Sequence, residues 1–271
     1  MSSSIHPRAL IHPSAQIGEG TTVGADVIID ANVSIGQNCE IRARAIITGH
    51  TRIGNHNQIG YGAIIGSEPQ DVSFQGTKSW VEIGDRNILR EYVTVNRGTK
   101  ADSVTRIGND NFLLTGCHVG HNAQVGNHVT LVNNVLLAGY VQVGDYALIG
   151  GDAVLHQHIR IGQYAMIRGQ TRLSVDVPPY CMAVDTNAVI GLNSVGLRRR
   201  GFDSPARRRL KQVFRIFYRQ HLNRLQAIEV IEQDPDLCQY PEVQLFLEFV
   251  KTTQRGLCHL YGGRFTSAVE D

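Results

Sequence analysis

The sequence predicts an all-β left-handed parallel β-helix, a hexapeptide-repeat solenoid, with a C-terminal α-helical domain. Three observations carry this. Every sixth residue from Ile11 to Leu173 gives 28 positions, and 25 of them are Ile, Leu or Val. No helix or flat sheet demands a period of six, whereas three short strands per triangular coil do. Small residues follow the aliphatic, often Gly, as in Ile17-Gly18, Val23-Gly24 and Ile35-Gly36, and let the chain turn at each corner. Finally, the beat stops at Val177-Pro178-Pro179-Tyr180, since two prolines cannot sit inside a strand ladder, and helical spacing follows.

Taken in order, residues 9–66 carry ten uninterrupted hexads. The exceptions to the beat are Asp71, Thr77 and Ala101, and they mark loop insertions near 67–80 and 99–104. A coil takes about eighteen residues and neighbouring coils sit about 4.8 Å apart, so nine or so coils make a rigid column. In known hexapeptide-repeat families such columns wind left-handed, against the usual right-handed crossover, and the same hand is expected here. We place the column at 1–186 and the helical domain at 187–271. Ser204 before Pro205 reads as an N-cap with proline at the first helical position. Leu210, Val213, Phe214 and Phe217 then fall at helical spacing, Leu222 through Ile231 suggest a second helix, and Val243 through Leu260 a third. The domain would cover the last coil, which otherwise exposes core and backbone.

Composition bounds the function classes. The chain is 42% hydrophobic and carries a formal charge of +2. No apolar run approaches the length of a membrane span, so stable membrane insertion is not expected. Met-Ser-Ser-Ser-Ile-His-Pro shows no basic segment followed by an apolar one, so a cytoplasmic location is the expectation. Five scattered cysteines read as reduced thiols. Positive charge gathers near 198–224. This zone is either a solvated helix face or a dock for something acidic; arginines without interleaved aromatics argue against nucleic acid.

Eighteen-residue spacing makes the corners readable. His121, Gly139 and Gln157 stack on one column, and Asn122, Tyr140 and His158 on the next. Five of the eleven histidines (His118, His121, His128, His156, His158) lie within about forty residues. They are either solvated corner residues or the wall of a cleft with a histidine general base. A three-histidine metal site is not expected, because His118 and His121 are three apart and no third histidine sits at the matching coil offset.

Several motifs carry a resemblance. They are Ile11-His12-Pro13, Glu68-Pro69-Gln70-Asp71, Ile83-Gly84-Asp85-Arg86-Asn87, Arg97-Gly98-Thr99, His118-Val119-Gly120-His121, His156-Gln157, Asp176-Val177-Pro178-Pro179-Tyr180 and Gly196-Leu197-Arg198-Arg199-Arg200-Gly201-Phe202. With them the chain resembles, nearly end to end, the UDP-N-acetylglucosamine O-acyltransferases of lipid A biosynthesis. The resemblance implies a homotrimer with active sites in clefts between subunits. It implies transfer of a 3-hydroxyacyl chain from acyl carrier protein to the sugar 3-hydroxyl, the first step of lipid A synthesis. No cofactor or metal is implied, the donor being the thioester of the carrier protein's phosphopantetheine.

Carried over by motif, His121 is the general base and Gly139 offers its backbone N–H to the oxyanion. Gln70, Asp71, His118, Asn122, His156 and Gln157 would line the sugar site. Asn193, Arg199 and Arg200 would meet uridine and phosphate, where the guanidinium fork suits phosphate oxygens. Met166 and Gly169 would form the acyl groove, and Arg207, Arg208, Arg209 and Lys211 would receive the acidic carrier protein. Three positions depart from the family pattern: Asn122 for the usual Asp, Ser73 for a Lys and Tyr140 for a His. They raise two alternatives, N-acylation of the 3-amino analogue of the sugar and a non-catalytic binding solenoid with a decayed site. A coenzyme A-dependent acetyl- or succinyltransferase would lack the Gln70-Asp71 loop and the Arg199-Arg200 pair.

Overall fold

The computed structural model describes residues 4–262. The hexads form three parallel sheets, the faces of a prism, whose registers advance by one coil per strand. On the first face Thr130 pairs with Leu148 and Leu148 with Met166. On the second His118 pairs with Leu136 and Leu136 with Val154. On the third Gln124 pairs with Gln142 and Gln142 with Arg160. The repeating aliphatics Val119, Leu131, Leu137, Ile149 and Leu155 are fully buried inside the prism, and this burial supplies the main cohesion of the column.

Both insertions keep the six-residue phase. Ile64 pairs with Thr94, 30 residues on, and Thr94 with His118, 24 residues on, where an uninterrupted coil takes 18. The extra lengths are therefore two hexads and one hexad, which is why the aliphatic beat resumes without a slip. The first insertion runs between the strands Ile64–Ser67 and Trp80–Ile83, and the second between Thr94–Asn96 and Val104–Ile107.

Corner residues hold left-handed backbone: Asn122 at φ 61°, Tyr140 at φ 61° and His158 at φ 65°. That conformation is costly for residues with bulky side chains. Coil-to-coil bonds offset the cost, with Tyr140 N–H donating to the His121 carbonyl (3.0 Å) and His158 N–H to that of Gly139 (3.1 Å). A second corner carries a buried asparagine ladder absent from the sequence reading. Asn57 Oδ1 accepts the Asn87 N–H (2.9 Å), Asn87 Oδ1 that of Asn111 (2.9 Å), and Asn111 Oδ1 that of Val129 (2.7 Å).

The column continues past Leu173. Cys181–Val184 joins the first face in parallel, Ala188–Leu192 pairs back antiparallel, and His259–Leu260 adds to it. Residues 188–192, expected in the helical domain, thus extend this sheet, and His259–Leu260 is its last strand. Four helices follow: α1 (Ser194–Arg199), α2 (Ser204–Arg219), α3 (Arg224–Gln233) and α4 (Pro241–Lys251). The N-cap of α2 is Asp203 and not Ser204, because the Asp203 side chain accepts the Ala206 N–H. The third expected helix stops at Lys251, where Thr252 caps it, and does not reach Leu260. Residues 263–271 of the expected helical domain lie outside the described residues. Leu210, Val213, Phe214, Ile231, Phe246 and Val250 make the buried helical core.

Arg160 fastens domain to column. Its Nε donates to the buried Asp176 carboxylate (3.0 Å), and its guanidinium also reaches Thr252 Oγ1 and the Phe249 carbonyl (3.0 Å each). The five cysteines are free thiols. Among the described residues no helix is long and apolar enough to cross a membrane.

Candidate active site

Both insertions converge on the corner that carries His121. Thr77 Oγ1 of the first donates to the Thr99 carbonyl of the second (3.1 Å), so the loops are tied to each other. Asn96 Nδ2 and Arg97 Nη2 hold Glu68 at the start of the first loop (2.8 and 3.2 Å). From that loop Asp71 Oδ2 comes within 3.5 Å of His121 Nε2. This is longer than a hydrogen bond and counts as a charge contact. Asp71 Oδ1 accepts from the Ser73 N–H (2.8 Å) and hydroxyl (2.7 Å). Those bonds first, and His121 to a lesser degree, hold its carboxyl below the usual range.

His121 is almost wholly buried. Its Nδ1 lies 3.1 Å from Asn122 Oδ1, which also accepts from the Thr99 N–H and hydroxyl, at 3.0 Å each. Thr99 Oγ1 is 3.1 Å from Tyr140 Oη. Tyr140 meets the His121 ring edge-on at 5.4 Å and stacks on His158 at 4.6 Å. His118, in the strand His118–Val119, has its Nδ1 within 2.8 Å of Thr94 Oγ1. Its ring pKa is pushed down by burial and, secondarily, by His121.

Gly139 packs directly on the His121 ring. A Cβ placed there would stand 2.3 Å from His121 Cε1 and 2.4 Å from Nε2. Only a glycine allows this approach. Gly139 is buried, and its N–H donates to no acceptor among the described residues.

The remaining expected residues divide. Gln70, His156 and Gln157 are exposed; Gln157 stands one coil beyond Gly139, and His156 Nδ1 is 3.4 Å from Arg255 Nη2. Asn193 has its side chain engaged within the subunit. Its Oδ1 caps α1 through the Gly196 N–H (3.1 Å), and its Nδ2 donates to the Tyr164 carbonyl (3.0 Å). Arg199 is exposed, and Arg200 lies over the Tyr146 ring at 4.8 Å. Tyr146 belongs to the His128–Tyr146–Tyr164 corner stack, one face away from the Asn122–Tyr140–His158 corner. One subunit therefore does not bring Arg200 to His121. Met166 lies between Leu148 and Met182 on the first face, and Gly169 is exposed with Gly151 O 3.1 Å from where its Cβ would be. Arg208 and Lys211 are exposed, but Arg207 is turned to the Asp203 carbonyl (3.2 Å). Arg209 is turned inward as well, paired with Glu242 (2.7 Å) and seated on Tyr240 (3.5 Å).

Two site residues had no assigned role in the sequence reading. Thr99 was visible only as part of a motif in the second lapse of the beat. Arg255 follows α4, and no periodic signal points to it; it lines a cleft of about 510 Å³ with Asn122, Tyr140, Gln142 and His158. Among the described residues no group of three or more His, Cys, Asp or Glu is arranged to hold a metal ion.

The second-domain model of UDP-N-acetylglucosamine O-acyltransferases matches residues 176–258. A bacterial-transferase hexapeptide model (six repeats) matches 105–139, and a GMPPB C-terminal domain model 5–105. An acyl-(acyl-carrier-protein)–UDP-N-acetylglucosamine O-acyltransferase from Rippkaea orientalis is 50% identical over 196 residues, 72% of this chain and 70% of the relative. The chain belongs to the UDP-N-acetylglucosamine O-acyltransferase family. Solved structures of family members agree over almost the whole length. A UDP-N-acetylglucosamine acyltransferase from Bacteroides fragilis has a TM-score of 0.90 at 42% identity, covering 93% of this chain and 98% of the other. One from Francisella novicida has a TM-score of 0.92 at 34% identity, covering 98% and 99%. The fold is the family's left-handed β-helix with a C-terminal helical domain, as the hexads predict.

Proposed function

We propose that the chain transfers a 3-hydroxyacyl group from acyl carrier protein to the 3-hydroxyl of UDP-N-acetylglucosamine, the first step of lipid A synthesis, with His121 as general base. Membership of the family supports the reaction. The observation that carries the mechanism is the contact between the His121 ring and the Gly139 backbone. His121 Nδ1–H donates to Asn122, which leaves the Nε2 lone pair for the substrate proton. The sugar oxygen attacks the thioester carbonyl carbon as its proton passes to Nε2. The Gly139 N–H receives the oxyanion, and collapse expels the phosphopantetheine thiolate, which takes the proton from the imidazolium. Asp71, 3.5 Å from Nε2, stabilises the imidazolium between those steps.

A homotrimer in the cytoplasm is part of this reading. Arg200 and His121 occupy different corners of one subunit, so a phosphate contact from Arg199 and Arg200 requires a neighbour. The exposed apolar residues Leu136, Leu148 and Val154 on the first and second faces suit such a contact. Arg208 and Lys211 are the exposed cations for the carrier protein.

One observation favours a second reading. Asn122 gives the imidazolium no anionic partner at Nδ1, and an amine needs less help from a base than a hydroxyl. Purified protein is therefore assayed with the sugar and with its 3-amino analogue, as wild type and as His121→Ala. The first reading expects preference for the hydroxyl sugar and a loss of about 100- to 10,000-fold in the variant. Full activity of His121→Ala on a folded protein would remove His121 from the mechanism, and clear preference for the amine would exchange the acceptor.

A further inference from the structure

We propose that Thr99 is a positioning residue that locks the Asn122 amide and thereby keeps His121 in the tautomer a general base needs. This rests on the function above. An aspartate beside the base could only accept, so either oxygen would hold the imidazole with its proton on Nδ1. Asparagine is ambivalent. Turned one way, its oxygen accepts from Nδ1–H and leaves Nε2 free. Turned the other, its NH₂ donates to Nδ1 and drives the proton to Nε2, where it blocks the substrate.

Thr99 decides between the two. Its backbone N–H can only donate, and it lies 3.0 Å from the same Asn122 atom that faces Nδ1, so that atom is the oxygen. The Thr99 hydroxyl gives its one hydrogen to this oxygen as well, at 3.0 Å. It then has only lone pairs left for Tyr140, so Tyr140 Oη–H donates to it over 3.1 Å. The proton order is thus one-directional: Tyr140 to Thr99, Thr99 to Asn122, with His121 Nδ1–H meeting it from the other side. The rest of the frame is rigid. Asn122 N–H donates to Thr105 Oγ1 at 2.7 Å, the Thr99 carbonyl accepts from Thr77, and Thr99 and Asn122 are both buried. Two family departures, Asn122 and Tyr140, thereby become one device, and the second insertion loop supplies its key.

The test is a double-mutant cycle with a spectroscopic arm. Thr99→Val removes one of the two donors to Asn122 and the acceptor for Tyr140. Its kcat should fall about two- to tenfold with KM for the sugar little changed, and Thr99→Ser should restore it. In an Asn122→Asp background, whose carboxylate needs no lock, Thr99→Val should cost less than twofold relative to that background. Nitrogen-15 shifts of the His121 ring should report protonated Nδ1 in wild type and a growing Nε2–H share in Thr99→Val. Equal losses in both backgrounds, a loss in KM alone, or a wild-type ring protonated on Nε2 when neutral would overturn the proposal. The nitrogen shifts need no turnover, so they test the lock even if the protein were to acylate a different acceptor.

Discussion

Replacing Gly139 by alanine isolates the contact on which the mechanism turns. The backbone there is not in the left-handed region that favours glycine, so the added methyl meets no conformational penalty of its own. What it meets is the His121 ring. Its positions 2.3 Å from Cε1 and 2.4 Å from Nε2 lie more than about 1 Å inside ordinary carbon contact of 3.5–4.0 Å. The ring is the side that must yield, because Gly139 is pinned coil to coil through its carbonyl bond from His158 (3.1 Å). A shift of about 1 Å in a reacting group costs on the order of 100-fold in rate. Gly139→Ala should therefore lose about 100-fold in kcat, with thermal stability lowered far less than by a core substitution. The assay is acyl transfer from acyl carrier protein to labelled nucleotide sugar, with a melting curve on the same preparation. Retention of a third or more of wild-type turnover would refute the reasoning, since the ring would then have room the geometry denies it.

Three further outcomes follow from other parts of the molecule. Burial lowers the His118 pKa below its ordinary value of about 6.5, so the unfolded chain takes up a proton there that the folded one does not. Its contribution to stability is therefore complete above about pH 6.5 and declines as pH falls below it; the stability difference between wild type and His118→Gln should be constant above about pH 6.5 and shift against wild type between about pH 6.5 and 5. Asn87→Ala removes the middle rung of the buried ladder: Asn57 Oδ1 keeps the backbone N–H of residue 87, but the Asn111 N–H and Nδ2 lose their acceptor and the Gly108 carbonyl loses its donor, so denaturation should show a loss of roughly 2–5 kcal/mol. Reversing Arg208 and Lys211 to glutamate should raise KM for acyl carrier protein about tenfold at low salt and less at high salt, leaving KM for the sugar unchanged; reversal of Arg209 should instead destabilise the helical domain, through its lost pairing with Glu242.

The legible parts of this protein are those that repeat. A period of six places every inward aliphatic, and a period of eighteen sets Gly139 beside His121 and Tyr140 beside Asn122 before any coordinate is known. Both insertions are visible as lapses, and because they add whole hexads the beat survives them. What they do is not visible, because the return path of a loop obeys no period. The tie of Thr77 to Thr99, the approach of Asp71 to His121 and the hold of Thr99 on Asn122 all lie in that blind zone. The asparagine ladder hides for a related reason: its rungs stand 30 and 24 residues apart where the insertions lengthen the coils. In the helical domain, type and charge mislead in a different way. Asn193 and Arg209 look available in the sequence, yet local hydrogen-bond demand claims them, one as the cap of α1 and the other as the partner of Glu242.

A crystal structure of the protein with UDP-N-acetylglucosamine tests the central claim most directly, through the distance from the sugar 3-oxygen to His121 Nε2. The account predicts about 2.6–3.2 Å, with the Gly139 N–H facing the same reacting centre. A 3-oxygen that points away from His121, or that lies more than about 5 Å from Nε2 with the nucleotide fully ordered, would contradict it.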